Sequence, residues 1–198
     1  MTQEPLAELI MSHARTLSEG EPLYAKQLLR LGTRAAIDQA LSRLAKSGAL
    51  LRVGRGIYVR PVESRFGRRP PDTEKLVEAI AEARGETVAS HGATAANALG
   101  LTTQVPTRTV FLTSGRTRML KLGNLQVELQ HAPPWQLTLA GKPGGQIVRA
   151  LAWLGPERAC DLSPLLKQKA PEGAIEEVAR ARMRLPEWMA RQVSELAG

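Results

Sequence analysis

YAKQLLRLGTRAAIDQALSRLAKSGALLRVGRGIYVR, residues 24–60, reads as a short helix, a glycine turn, a second helix and a basic two-stranded hairpin with no spare residues between them. That order is the layout of a winged helix-turn-helix, in which the second helix can enter the major groove of DNA and the hairpin can reach the neighbouring backbone. Eight basic residues in this segment (Lys26, Arg30, Arg34, Arg43, Lys46, Arg52, Arg55, Arg60) face one acid, Asp38. The segment therefore holds +7 of the chain's formal +8, and the basicity is local.

Leu6, Leu9, Ile10, Ala14 and Leu17 recur at helical spacing and predict a first helix over 5–17, broken by Gly20 and Pro22. A short helix is expected over 24–31, then Gly32-Thr33, which pairs a residue free to adopt positive φ with a hydroxyl able to cap the next helix. In the helix over 34–46, Ile37, Ala40, Leu41 and Leu44 form one apolar stripe. At 100° per residue the opposite side carries Ala35, Asp38, Gln39, Ser42, Arg43 and Lys46. Ser47-Gly48 ends that helix; 50–53 and 57–60 read as strands, with Gly54 and Gly56 reversing the chain and leaving Arg55 at the tip.

A basic helix face is by itself only a solvated face. Here it belongs to the second helix of a tight turn, precedes a glycine-tipped hairpin, and includes side chains that can pair with base edges, so DNA binding is the favoured reading. Gln39 suits adenine, Arg43 or Arg34 suits guanine, and Ser42 suits either kind of edge. Thr33, Lys46, Arg52 and Arg55 are placed to contact phosphates. Tyr24 and Tyr58 are read as packing residues. The piece 65–69 (Arg-Phe-Gly-Arg-Arg) is read as a connector, with a minor-groove arm as the alternative.

The 198 residues suit two domains: a winged helix-turn-helix over 1–62, a proline- and charge-rich linker over 63–72, and an α+β domain over 73–198. The second domain is expected to hold a small antiparallel or mixed sheet and several helices. Asp72 caps a helix over 73–84 that Gly85 stops, and a small-residue helix over 90–99 is closed by Gly100. Strands are expected over 109–113, 118–122 and 125–130, with Gly123-Asn124 as a hairpin turn. Helices follow over 145–154, 163–169 (Ser163 cap, Pro164 first), 172–183 and 186–196.

Aromatics at 4% leave the cores to Leu, Val, Ile and Ala. The single cysteine, Cys160, rules out an internal disulfide framework and multi-cysteine zinc sites, and reads as a packed small residue. His13, His91 and His131 are dispersed, so no metal is assigned. SHGATAANALG and AGKPGGQ lack the spacing of a P-loop or a dinucleotide fingerprint, so no cofactor is assigned. Glu128 has no carboxylate partner at a useful spacing; the chain is read as having no catalytic site and as not an enzyme. Trp135, Trp153 and Trp188 are read as core or interface anchors. The amino terminus carries no secretory pattern and no apolar run approaches a membrane span, so a cytoplasmic protein with a nucleic-acid partner and no membrane partner is expected.

The run LLRLGTRAAIDQALSRLAKSGALLRVGRGIYVRP, followed after the linker by SHGATAANALGLTTQVPTRTVFLTSGRTRMLKLGNLQVELQHAPP, resembles the AbiEi-type antitoxins of bacterial type IV toxin-antitoxin, or abortive infection, systems. The resemblance spans about 110 residues. It implies an N-terminal winged helix that represses its own operon, a C-terminal domain needed for antitoxicity, a neighbouring nucleotidyltransferase-like toxin, and no stable complex between the two. It places DNA binding on 33–46 and 52–55, and leaves Arg116, Arg118 and Lys121 as antitoxicity candidates. The operator is expected to be double-stranded DNA with an inverted repeat, bound by a monomer or a dimer. Two other readings stay open: a winged-helix regulator whose C-terminal domain senses a ligand or dimerises, and a DNA-processing enzyme.

Overall fold

The structure, a computed structural model, describes residues 5–65 and 67–198. The chain is α+β and divides into two units. One comprises the residues up to Gly85 together with Met119–Val127; the other comprises Glu86–Arg118 and Glu128–Gly198.

The first unit opens with α1, Leu6–Thr16, whose Ile10 and Ala14 are buried. A two-residue strand β1, Leu23–Tyr24, leads into a 3-10 turn, Ala25–Leu28, and then into α2, Arg34–Lys46. Two strands follow, β2 (Leu51–Gly54) and β3 (Ile57–Val59), and the sheet order is β1-β3-β2. The α1 and α2 stripes, the turn, Leu50 and Tyr58 close one aliphatic core. The expected helix over 24–31 is shorter than its pattern, because Leu23 and Tyr24 pair with Tyr58 and Ile57 and hold the chain extended there. Gly32 does not take positive φ; Gly48 (71°) and Gly56 (69°) do, at the end of α2 and in the hairpin reversal.

The stretch read as a linker is folded. Strands β4, Val62–Ser64, and β5, Gly67–Arg69, pair antiparallel, with Arg68 bonded to Glu63 at 2.9 Å. Phe66, within the basic piece weighed above as an arm, lies outside the described residues, as do residues 1–4. Helix α3, Thr73–Glu82, is capped by the Asp72 carboxylate, which accepts from the Lys75 amide at 3.0 Å. The sequence assigned this helix to the second domain, but it clusters with the first unit. Its first turn lies against Gly20, where a Cβ would meet the Lys75 Cβ at 3.2 Å.

The second unit holds β6 (Val88–Ser90), α4 (Gly92–Ala98) and β7 (Thr109–Thr113), while β8 (Arg118–Leu122) lies almost wholly, and β9 (Leu125–His131) in its first half, in the stretch that clusters with the first unit; the strand order is β6-β7-β9-β8. Helices α5 (Pro143–Asp161), α6 (Ser163–Lys169), α7 (Ala174–Arg180) and α8 (Glu187–Ala197) complete the second unit. Within α5, Gly155 takes φ 76° and Pro156 restarts the helix, so the run is two helices that meet at the Gly-Pro pair. Ser163 does not cap α6; its hydroxyl donates back to the Ala159 carbonyl at 3.1 Å and accepts from Gln192 at 3.0 Å. The helices share a core of Leu, Val, Ile and Ala side chains, against which Trp135, Trp153 and Trp188 pack half-buried.

Candidate nucleic-acid interface

Helix α2 starts where Thr33 Oγ1 accepts the Ala36 amide at 3.3 Å. Burial of Ile37, Ala40 and Leu41 fixes its rotation. The same rotation exposes Ala35, Asp38, Gln39, Ser42, Arg43 and Lys46 along one side, as the spacing predicts. Asp38 is the acid on this surface, and Arg34 Nε bonds its Oδ2 at 3.0 Å, both side chains being more than half exposed (61% and 54%). Arg43 and Lys46 have no side-chain hydrogen bond or ion pair among the described residues. Their charge is uncompensated and already in water, so an anionic partner would meet it without first breaking an internal contact.

The hairpin sits beside this helix's own turn. The Ala25 amide, at the start of the 3-10 turn, donates to the Gly56 carbonyl at 3.0 Å. Register pairs Arg52 with Tyr58, and strand alternation sends Val53 into the core while Arg52 stays in solvent. Arg55 is exposed at the tip, and neither it nor Arg52 has a side-chain partner among the described residues. Tyr58 is buried in the core; Tyr24 lies beneath the Lys26 ammonium, 5.6 Å from the ring centroid. The eight residues assigned to DNA from the sequence are all exposed and belong to one unit, on α2, its cap, and the β2–β3 hairpin.

Sequence reasoning passed over two cations here. Lys26 and Arg84 join Arg34 and Arg55 around a cleft of about 300 Å³ whose remaining wall is Tyr24, Ala25, Gly56, Ile57 and Ala83. Arg84 follows the last turn of α3, some fifty residues from α2 along the chain, and periodicity carries no signal for that convergence.

The three antitoxicity candidates have different surroundings. Arg118 is a structural residue: its Nη2 and Nη1 grip the Glu86 carboxylate at 2.5 and 3.1 Å, with both side chains less than a fifth exposed. Glu86 also accepts from Thr113 Oγ1 at 3.3 Å, and Gly115 leaves room for the carboxylate where a Cβ would clash with it. Arg116 and Lys121 are exposed. His91 caps α4, accepting the Ala93 amide on Nδ1 at 3.2 Å, and burial pushes its imidazole below the ordinary 6.5 against an opposing pull from Glu128. His131 Nδ1 faces the Gly115 carbonyl at 2.8 Å. Cys160 is exposed, not packed as the sequence suggested; on the second segment of α5 it is the neighbouring Ala159 that is buried. Among the described residues, no three His, Cys, Asp or Glu side chains are placed to hold a metal ion, and no helix is long and apolar enough to cross a membrane.

The profile of DUF6088, a family of unknown function, matches residues 9–170, so most of the chain is covered and the chain belongs to that family. No curated protein gives a match.

Proposed function

We propose that this DUF6088 protein is a sequence-specific, double-stranded-DNA-binding transcriptional repressor whose N-terminal part is a winged helix-turn-helix, and that it serves as the antitoxin of a type IV pair. The observation that carries the DNA reading is the α2 surface: a capped helix, held by a buried apolar stripe, that presents Gln39, Ser42, Arg43 and Lys46 together in solvent beside an Arg-tipped hairpin. The order helix, strand, 3-10 turn, helix, hairpin, with β3 between β1 and β2, supports the winged-helix reading.

The division of labour follows from chemistry. The Gln39 amide can both donate to and accept from an adenine edge, the Arg43 guanidinium can donate twice to guanine O6 and N7, and Ser42 can serve either. Thr33, Lys46, Arg52 and Arg55 take backbone phosphates, which set register and affinity without carrying sequence information. Arg34 reaches a guanine, or a phosphate beside it, only after leaving Asp38. No catalytic step is assigned to any residue. The antitoxin role is supported by the likeness of the two sequence runs to AbiEi-type proteins.

Selection of duplexes from a random pool tests the DNA reading. An enriched site, with a base preference that moves at one position in Gln39→Ala, is the expected result; a pool that remains random after repeated rounds would remove the sequence-specific reading. Growth on co-expression with the product of the neighbouring gene tests the antitoxin role.

One observation favours a ligand-sensing second unit alongside this. A cleft of about 430 Å³ there brings Trp135, His131, Thr87, Ser114 and Arg184 onto one apolar floor of Ala132 and Leu137. If it is a sensor site, a small molecule that raises the melting temperature will also shift operator affinity, whereas an effect on melting alone would leave it unconnected to DNA.

A further inference from the structure

The geometry points to the cleft formed by Lys26, Arg34, Arg55 and Arg84 as the seat of a DNA backbone phosphodiester, which extends the interface from α2 and the hairpin onto the end of α3. This inference rests on the DNA-binding reading above. Four cations from four separate elements meet there: the 3-10 turn, the first residue of α2, the hairpin tip and the segment after α3. No acidic residue among the described ones lines the cleft. Lys26, Arg55 and Arg84 have no ion-pair partner among the described residues, and Lys26 rests on the Tyr24 ring. Arg34 is the exception, held by Asp38 at 3.0 Å.

Like charges placed around one concavity repel, and low-dielectric walls focus their field into it, so an anion relieves the arrangement. The cleft shares Arg34 with the start of the reading helix and Arg55 with the hairpin tip. An anion held there therefore lies on the flank of whatever α2 contacts. A phosphodiester oxygen pair fits this position: it bears one charge, accepts from several guanidinium and ammonium donors at once, and is present on every sequence. The cleft is then a positioning contact. Arg84, which no helix-turn-helix pattern includes, is its diagnostic member.

The test is fluorescence anisotropy of the intact chain with a labelled duplex carrying the selected site and with a scrambled duplex, each from low to high salt. Wild type, Arg84→Ala, Arg84→Lys, the pair Lys26→Ala with Arg84→Ala, and Arg43→Ala are compared, with thermal melts confirming folding. Arg84 is exposed, so its replacement should leave melting unchanged. Expected is a roughly three- to tenfold loss for Arg84→Ala, equal on both duplexes, with the salt slope shallower by about 0.9, and partial recovery in Arg84→Lys. The double variant should flatten the slope further. A duplex with a neutral methylphosphonate at the contacted position should make wild type behave like Arg84→Ala. Inorganic phosphate at millimolar concentration should compete no better than its ionic strength dictates; stronger competition would assign the cleft to a free anion and overturn the inference. Unchanged affinity and slope in Arg84→Ala, while Arg43→Ala loses site preference, would overturn it and leave the DNA reading standing. Absence of duplex binding by wild type at every salt concentration would sink both.

Discussion

Arg34 and Asp38 face each other across one turn of α2 in an exposed ion pair, and such a pair contributes only about 0–1 kcal/mol to stability. Its greater effect is on the interface, where it occupies one cation and adds one negative charge. Asp38→Ala should therefore raise affinity for duplex about three- to tenfold while the unfolding free energy moves by less than about 0.5 kcal/mol. A fall in affinity would mean that Asp38 itself accepts from a base, as cytosine permits. Arg149 presents the opposite problem. It is 2% exposed, its Nε and Nη1 have no partner among the described residues, and burial pushes its guanidinium down to about 10. Removing a buried charge that lacks a counter-ion is neutral or stabilising, so Arg149→Met should gain up to about 3 kcal/mol in urea unfolding, and a loss of more than 1 would contradict this account. His91 supplies a pH dependence. Its folded pKa lies below 6.5, so the unfolded chain binds the extra proton first, and the stability present above pH 6.5 is lost as the pH falls below it. His91→Asn keeps a capping acceptor and should flatten that part of the curve. Exposure of Gln39, Ser42, Arg43 and Lys46 was readable from residue spacing. The Arg118–Glu86 pair and the burial of Arg149, whose Nη2 donates to the Ala140 carbonyl at 3.5 Å, were not, because both arise only from tertiary packing.

Helix α2 and the hairpin were legible as elements because every local signal agreed: a Thr cap, one apolar stripe, a Gly stop and a Gly-Arg-Gly reversal. The two-residue β1, the β4–β5 hairpin and the three-residue β6 were not, since strands so short have no periodicity to read; β1 and β6 exist through pairing with β3 and β7, and β4–β5 is a local hairpin hidden in a proline- and charge-rich stretch. The α2 cap gives a direct check: Thr33→Ala should cost about 1 kcal/mol, and Thr33→Ser much less. In the second unit, α4 and α5 approach through Gly92. A Cβ there would lie 2.5 Å from the Arg149 carbonyl oxygen and 2.6 Å from the Trp153 Cβ. Gly92→Ala should destabilise by about 2–3 kcal/mol through overpacking, read in the same unfolding experiment. A silent Gly92→Ala would mean that α4 shifts freely on α5.

At the scale of the molecule, charge and domain division tell different parts of the story. The concentration of +7 in residues 24–60 pointed to the interface from composition alone, whereas the end of the first unit at Gly85 was hidden, because proline and charge at 61–72 imitate a linker while forming a hairpin. If repression and antitoxicity are separate jobs, replacing Arg43, Lys46 and Arg55 together by Ala abolishes operator binding and leaves protection from the toxin intact. A small reading face also favours two copies on an inverted repeat, with half-sites a helical turn or a multiple apart. Base reading by α2 is decided by the ratio of affinities for the selected site and a scrambled duplex, taken for wild type, Arg43→Ala and Arg55→Ala at one salt concentration. Arg43→Ala should lose about 1–3 kcal/mol on the selected site alone, collapsing the ratio, while Arg55→Ala should weaken both duplexes equally and preserve it. Equal losses on both duplexes for Arg43→Ala would contradict base reading by α2.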